Sequence, residues 1–232
     1  MPLPLTPVTL RGNRVRLEPL SLTHAEGLRI AATESRESFR YTWVPEPNET
    51  DVARYIESAL SAHAAGTALP FATIRTDTET VVGSTRFMSA EYWTSPDGKS
   101  SDSVRPNAIE IGSTWLCASA QRTFVNTEAK LLMMSYAFEQ LDVDRLFFKT
   151  DARNAASRAN IERVGAKFEG ILRHNMYSVD GANNVYVTEY ADVISNAQIG
   201  TTDADFSGGN VRLLVTSTNG TTVKVHKTLI EA

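Results

Sequence analysis

The chain has 232 residues, 42% of them hydrophobic and 22% charged, with a formal net charge of −4 and a single cysteine. That composition excludes collagen-like, disordered and disulfide-stapled chains, and the acidic balance argues against a nucleic-acid binder. Four scattered histidines give no zinc pattern, and no apolar run approaches the roughly 20 residues that span a bilayer, so no metal and no membrane are expected.

Residues 14–18 alternate polar and apolar side chains before Pro19 and predict a short strand. A helix follows over 21–33, capped by Ser21 or Thr23, with Glu26 placed for a capping box. Asn48 and Asp51 open a second helix, with Val52, Tyr55, Ile56, Ala59 and Leu60 on one face and Gly66 as its stop. Residues 71–75 and 81–87 predict a hairpin across a polar turn. Residues 89–107 predict a polar loop with a turn at Ser95-Pro-Asp-Gly98. The next strand covers 108–116 and leads to the strongest helix, 127–141. Its apolar positions Leu131, Leu132, Met134, Phe138 and Leu141 are helically spaced, and Tyr136 and Ala137 widen the face.

A strand over 145–150 follows, then a short helix over 157–164 stopped by Gly165. Two closing strands, 167–174 and 185–194, flank the turn Asp180-Gly181. The pattern is mixed α/β, with too few alternating units for a barrel. From about Ala197 the chain turns to Thr, Gly, Asn and Ser. Within it, 211–217 and 222–227 around Asn219-Gly220 predict a β-hairpin. A lone hairpin is marginal in water, so this one should dock on the main domain or on a second copy, the latter giving a homodimer by strand addition.

The junction from Leu116 to Ala129 is the first place for chemistry. A strand runs through a short loop into a helix N-terminus, whose N–H groups and partial positive charge can hold a phosphate or pyrophosphate. Arg122 could add a bidentate contact. Taken alone, such a loop is more often only a connection. The phosphate-cradling Gly-rich motifs and the Gly-x-Ser-x-Gly elbow are missing from the sequence.

The order of short motifs is more specific: Ile109-Glu-Ile-Gly112, Gln121-Arg122, Asn126-Thr-Glu-Ala129, Asp151-Ala-Arg-Asn154-Ala-Ala-Ser157-Arg158, Glu162-Arg-Val-Gly165-Ala and Glu169-Gly170. It resembles the GCN5-related N-acetyltransferases (GNAT), in the branch similar to the RimJ/RimL ribosomal-protein acetyltransferases. The resemblance implies an α/β (α+β) fold over residues 1–195, with a mixed, mostly antiparallel central sheet flanked by helices, and leaves 196–232 as a C-terminal β-hairpin extension. It implies acetyl-CoA as donor and a primary amine as acceptor, either a protein N-terminus or a small molecule. In that family two central strands splay apart and the pantetheine arm lies between them. With no basic signal-like stretch at residues 1–5, a cytoplasmic protein is expected.

Carried across, Gln121, Arg122, Thr123, Phe124, Val125, Asn126 and Thr127 occupy the family's pyrophosphate loop. Phe124 and Asn126 stand at its glycine-type positions, a departure, because the Cβ of Phe124 limits φ and its ring must avoid the cofactor. Asn154 matches an asparagine near the pantetheine arm. Ser157 matches a serine near the thioester sulfur, whose hydroxyl could protonate the leaving thiolate. Arg158 follows in the same motif and joins the cofactor-binding residues. By local sequence alone, Asn154 is equally a turn residue and Ser157 a helix cap. The position of a tyrosine acid in other branches is Ile161 here.

Glu110 aligns with a strand glutamate that serves as base, since an ammonium must lose a proton before it attacks the thioester. The alternative is a solvated strand glutamate. Glu128 more simply complements a helix N-terminus, and Glu169 is also less suited. A backbone N–H around Trp115, Leu116 and Cys117 would receive the oxyanion. Cys117 itself is read as a small buried hydrophobe. Arg40, Tyr41, Trp43 and Trp93 are candidates for the acceptor side. A rival of another class is a catalytically silent CoA-binding or oligomeric interaction protein, with Phe124 filling the slot between the central strands.

Overall fold

The computed structural model describes residues 5–34, 36–93 and 105–172, together with the backbone of three strands at 185–190, 211–214 and 226–229. The strands in chain order are β1 (Leu10–Arg11), β2 (Val15–Pro19), β3 (Ala68–Arg75), β4 (Thr80–Glu91), β5 (Ala108–Leu116), β6 (Arg145–Asp151), β7 (Lys167–Leu172) and β8 (Val185–Tyr190). They form one eight-stranded sheet in the order β1-β2-β3-β4-β5-β6-β8-β7. Every neighbouring pair is antiparallel except β5–β6, which is parallel. A parallel pair needs a crossover, and a helix supplies it. The helices are α1 (Ala25–Thr33), α2 (Glu49–Ala64), α3 (Phe124–Glu139) and α4 (Ala155–Arg163). This is the mixed, mostly antiparallel sheet with flanking helices that the resemblance implies.

Burial explains the layering. Every residue of β3 from Ala68 to Ile74 is buried, so the sheet is covered on both faces at its centre. On β5, Trp115 packs its ring against Tyr55 of α2 while the adjacent Thr114 bonds to Lys130 of α3. Successive strand residues face opposite ways, which puts α2 and α3 on opposite faces. Phe71, Phe87, Phe148, Leu17, Leu28 and Ile56 are among the largest fully buried side chains.

Local signals set most boundaries. Asn48 caps α2 by accepting the Asp51 N–H at 2.9 Å. Gly66 (φ 73°) and Gly165 (φ 101°) take the left-handed backbone that ends α2 and α4. Several boundaries differ from the sequence reading, two of them beside the β5 strand. Helix α3 begins at Phe124, three residues before the expected Thr127, because Thr123 caps it: its Oγ1 donates to the Ala120 carbonyl at 2.7 Å and accepts the Val125 N–H at 3.3 Å. Its buried stripe is Val125, Ala129, Met133 and Ala137, joined by Met134 and Phe138, while Leu131 and Leu132 are half-buried. Strand β4 continues to Glu91, into the expected loop, whose residues 94–104 lie outside the described ones. The turns at Asp180-Gly181 and Asn219-Gly220 also lie outside them. Strands β9 (Val211–Leu214) and β10 (His226–Leu229) pair antiparallel as a separate two-stranded sheet.

Glu128 corrects a sequence expectation. It does not serve the N-terminus of its own helix. It lies in the second turn of α3, 1% exposed, and its Oε1 accepts the backbone N–H of Arg14 at 2.9 Å and of Val15 at 3.3 Å. A Cβ at Gly12 would collide with that oxygen, so glycine there admits the carboxylate to the β1–β2 turn. Replacing Glu128 by Ala should lower the free energy of unfolding by about 1–3 kcal/mol, since the buried Val15 N–H and the half-buried Arg14 N–H lose their acceptor. Urea denaturation checks this, and an unchanged midpoint would show that the turn does not depend on the carboxylate.

Candidate active site

Strands β5 and β6 pair only at Ala108–Arg145, Ile109–Leu146 and Glu110–Phe147, then diverge. Two bulges flank Glu110 at this point. On β4, Met88 lies opposite Glu110 and Glu91 opposite Ala108, and the extra length holds Ser89 at φ 50°. On β5, Gly112 lies opposite Arg86 and Trp115 opposite Ser84, and the extra residue Ser113 has φ 46°. Left-handed backbone at a non-glycine residue costs about 1–2 kcal/mol and persists only where its surroundings hold it.

The bulged Ser89 donates its hydroxyl to Glu110 Oε2 at 2.9 Å, and Lys149 Nζ of β6 reaches the same oxygen at 2.9 Å. Glu110 is 4% exposed. It is therefore not a solvated strand glutamate. Gly112 gives the carboxylate room, for a Cβ there would stand 2.7 Å from both Glu110 Oε1 and Met88 Sδ.

Lys130 of α3 lies where β5 and β6 part. Its Nζ donates to Thr114 Oγ1 of β5 at 2.7 Å and stands 5.3 Å from the centre of the Phe148 ring of β6. Thr114 also contacts Thr85 Oγ1 at 2.8 Å and the Gly112 carbonyl at 3.4 Å. Burial pushes the Lys130 ammonium down to about 7, against the opposing pull of the Glu110 charge. The sequence reading missed Lys130. Its only signal is a lysine between Ala129 and Leu131 on an apolar helix. Ser89 and Lys149 were missed as well, because both meet Glu110 only through strand pairing.

At the start of α3, the left-handed residue is Arg122 (φ 57°), which is exposed. Phe124 and Asn126 are helical, so the glycine-type positions need no left-handed backbone here. The Phe124 ring carries the Arg14 guanidinium 3.6 Å from its centre and Arg75 at 5.4 Å. It is thus turned toward β2 and β3, away from the β5–β6 gap. Val125 is fully buried, and Thr127 Oγ1 receives Arg163 of α4 at 3.4 Å. Asn126 Nδ2 donates to Asn160 Oδ1 of α4 at 2.6 Å, while Asn126 Oδ1 is buried with no hydrogen-bond partner among the described residues.

Asn154 is the cap of α4 and accepts the Ser157 N–H at 3.0 Å, which makes Ser157 the third helical residue instead of the cap. Arg158 donates to the Ala152 carbonyl at 3.1 Å, and Ile161 is in the core. The structure thus brings the 121–127 and 154–158 motifs together through Asn126 and Asn160.

The remaining predicted residues shape the junction. Gln121 Nε2 donates to the Leu116 carbonyl at 2.8 Å and to Ser38 Oγ at 2.9 Å. Trp115 is 3% exposed and donates from Nε1 to Tyr55 Oη at 3.2 Å. The Cys117 N–H already donates to the Val82 carbonyl at 2.8 Å, so it is not available to an oxyanion. Burial raises the Cys117 thiol, which makes it a poor nucleophile.

The link between α1 and α2 borders this region. The Tyr41 ring has Arg40 5.4 Å and Arg153 5.1 Å from its centre, and Arg153 belongs to the motif that precedes α4. A pocket of about 340 Å³ is lined by Arg36, Phe39, Arg40, Trp43 and Glu46 among others, with Trp43 71% exposed. Trp93 is half-exposed and bonds to Glu91 and Asn107 at the end of β4. Among the described residues no helix is long and apolar enough to cross a membrane, and no group of three or more acidic, histidine or cysteine side chains is placed to hold a metal.

A family model described as an acetyltransferase (GNAT) domain matches residues 14–167. No curated protein matches the sequence. Among solved structures, a GCN5-related N-acetyltransferase from Brucella melitensis is 24% identical, with 89% of this chain and 92% of that chain covered and a TM-score of 0.69. The microcin C7 self-immunity acetyltransferase MccE, in complex with acetyl-CoA and AMP, is 19% identical over 78% of this chain and 94% of its own, with a TM-score of 0.63. An acetyltransferase from Salmonella typhimurium that modifies the N-terminal serine of 50S ribosomal subunit protein L7/L12 is 16% identical over 80% of this chain and 99% of its own, also with a TM-score of 0.63.

The depressed Lys130 has a consequence for stability. Between about pH 7 and the ordinary lysine value the unfolded chain binds a proton that the folded chain lacks, so stability rises with pH across that window. Lys130→Met removes this linkage. The melting midpoint of Lys130→Met should exceed that of the wild type most at or below about pH 7, and the difference should narrow by about pH 9. Thermal melts of both proteins across this range check it, and a pH-independent difference would contradict it.

Proposed function

The chain belongs to the acetyltransferase (GNAT) domain family, and we propose that it transfers the acetyl group of acetyl-CoA directly to a primary amine, on a protein N-terminus or a small molecule. The observation that carries this reading is the opening of the sheet beyond Glu110 and Phe147, with the N-termini of α3 and α4 at its end. The residues present fit a CoA thioester. The first turn of α3 offers N–H groups for a pyrophosphate, Arg122 is exposed beside it, and the buried Asn126 Oδ1 awaits a donor. Of the two features behind the silent alternative, Phe124 and the unusual tail, Phe124 packs under Arg14 and Arg75, which supports the enzymatic reading.

Acetyl-CoA supplies an activated acyl group and a thiolate leaving group. In the proposed reaction Glu110, held by Ser89 and Lys149, takes the amine's proton directly or through water. The Ser157 hydroxyl, which makes no hydrogen bond to a described residue, gives a proton to the leaving thiolate. The Leu116 N–H, next to the Cys117 N–H that bonds to β4 and so directed to the other edge of β5, would receive the carbonyl oxygen. The pocket beside Arg40 and Trp43 receives the acceptor, and Tyr41, stacked on Arg153, ties it to the donor side. Residues 1–195 make up the catalytic domain in this reading, and the strands within 196–232 are an appended hairpin.

Acetyl-CoA at about 100 times its Kd should stabilise the protein by about 2.7 kcal/mol and raise the melting midpoint by several degrees. No shift at saturating concentration would remove the donor assignment. Against a panel of peptides and small amines, read by release of free thiol, Glu110→Gln should lower kcat about 100-fold or more and leave acetyl-CoA affinity within about threefold. Unchanged turnover would remove Glu110 from the chemistry.

A further inference from the structure

Lys130 is the buried charged group that the mechanism above leaves unused. It is 5% exposed, yet its one hydrogen bond goes to a neutral hydroxyl, at 2.7 Å, and no carboxylate of a described residue lies within ion-pair distance. An ammonium buried this way is a stability cost that apolar side chains of the same size would avoid. Its position is specific. It contacts Thr114 of β5 and the ring of Phe148 of β6, which lie four residues and one residue past the last paired positions, Glu110 and Phe147. Thr114 in turn follows the bulged Ser113 and contacts the Gly112 carbonyl, so Lys130 is anchored to the bend in β5.

We infer that Lys130 is an electrostatic positioning residue for acyl transfer: through Thr114 it fixes the β5 bulge and places a buried positive charge where the thioester carbonyl oxygen gains negative charge. This rests on the reading that the acyl arm of acetyl-CoA enters the β5–β6 gap. A buried charge acts there with little screening and needs no reorganisation during the reaction. Lys130 does not touch the reacting atoms in this account. It works through Thr114 and through its field.

The groups facing it are few. Glu110 of β5 is the ionised side chain whose field reaches it, and Lys149 of β6 is tied to that same carboxylate. β4 contributes the Thr85 hydroxyl through Thr114, and α3 contributes the sulfur of Met133, 3.6 Å from Thr85 Oγ1.

The test needs no acceptor. Isotope-edited infrared spectroscopy of bound acetyl-CoA reads the polarisation of its thioester carbonyl, and calorimetric titration reads its affinity. In the wild type the carbonyl stretch should fall below its value in solution. In Lys130→Met it should return toward the solution value, with Kd within about threefold and a melting midpoint no lower than that of the wild type. A wild-type shift retained in Lys130→Met overturns the inference, as does an unshifted carbonyl in the wild type. A wild type that binds no acetyl-CoA fails earlier, at the donor, and overturns the underlying reading with it. If Lys130→Met does not fold, the wild type alone decides. The shift should weaken as pH rises from about 6 to about 8.5, through the titration of Lys130, and a pH-invariant shift overturns the inference.

Discussion

The parallel pairing of β5 with β6 is held over three residues and then released, and the rest of the site depends on that release. Each strand keeps its outer partner past the point of divergence. β5 remains bonded to β4 as far as Leu116, and β6 remains bonded to β8 as far as Asp151. The sheet can therefore open in its middle without losing cohesion. Its two inner edges are left with backbone groups that need partners. Because a parallel pair requires a crossover, the chain leaves the end of β5 into α3, and leaves the end of β6 into α4. Both helix N-termini consequently fall at the same end of the opening. One topological constraint thus supplies a gap, two inner strand edges and two sets of free N–H groups.

Strain and buried charge gather at this opening. Of the five non-glycine residues with left-handed backbone among the described residues, Ser89 and Ser113 bulge the strands beside Glu110, and Arg122 turns the chain into α3. Glu110 and Lys130 are buried within the same few turns of structure. Most other ion pairs, such as Glu26–Arg29 and Asp51–Arg54, lie on the surface, where such contacts contribute little. Burial alone does not mark function, however. Glu128 is more buried than Glu110, yet both of its acceptor contacts are to main-chain N–H groups of a distant turn, which is structural work. The two glutamates differ in what surrounds them: backbone amides in one case, titratable side chains beside a strand opening in the other.

The departures from the family's loop pattern have a local structural counterpart. With a phenylalanine and an asparagine at the glycine-type positions, the chain makes its left-handed turn at Arg122, two residues before Phe124, and enters the helix at Phe124. The Phe124 ring then packs under Arg14 instead of into the gap.

What the sequence determined by itself was local. Helical and strand periodicity, the Asn48 cap and the stops at Gly66 and Gly165 all depend on residues within about four positions of each other, the range over which a helix turn or a strand alternation operates, and the order of short motifs from Ile109 to Gly170 added the family resemblance. That was enough for the element order, the fold class and the choice of Glu110, Asn154 and Ser157 as residues to examine. What tertiary structure decided was environment. Ser89 reaches Glu110 across 21 positions, Lys130 reaches Thr114 across 16, and Glu128 reaches Arg14 across 114. Whether a charge is solvated, paired or stranded is set by such distant neighbours and by exclusion of water. So the buried lysine, the two bulges and the contrasting surroundings of Glu110 and Glu128 emerge only once the sheet has closed around them.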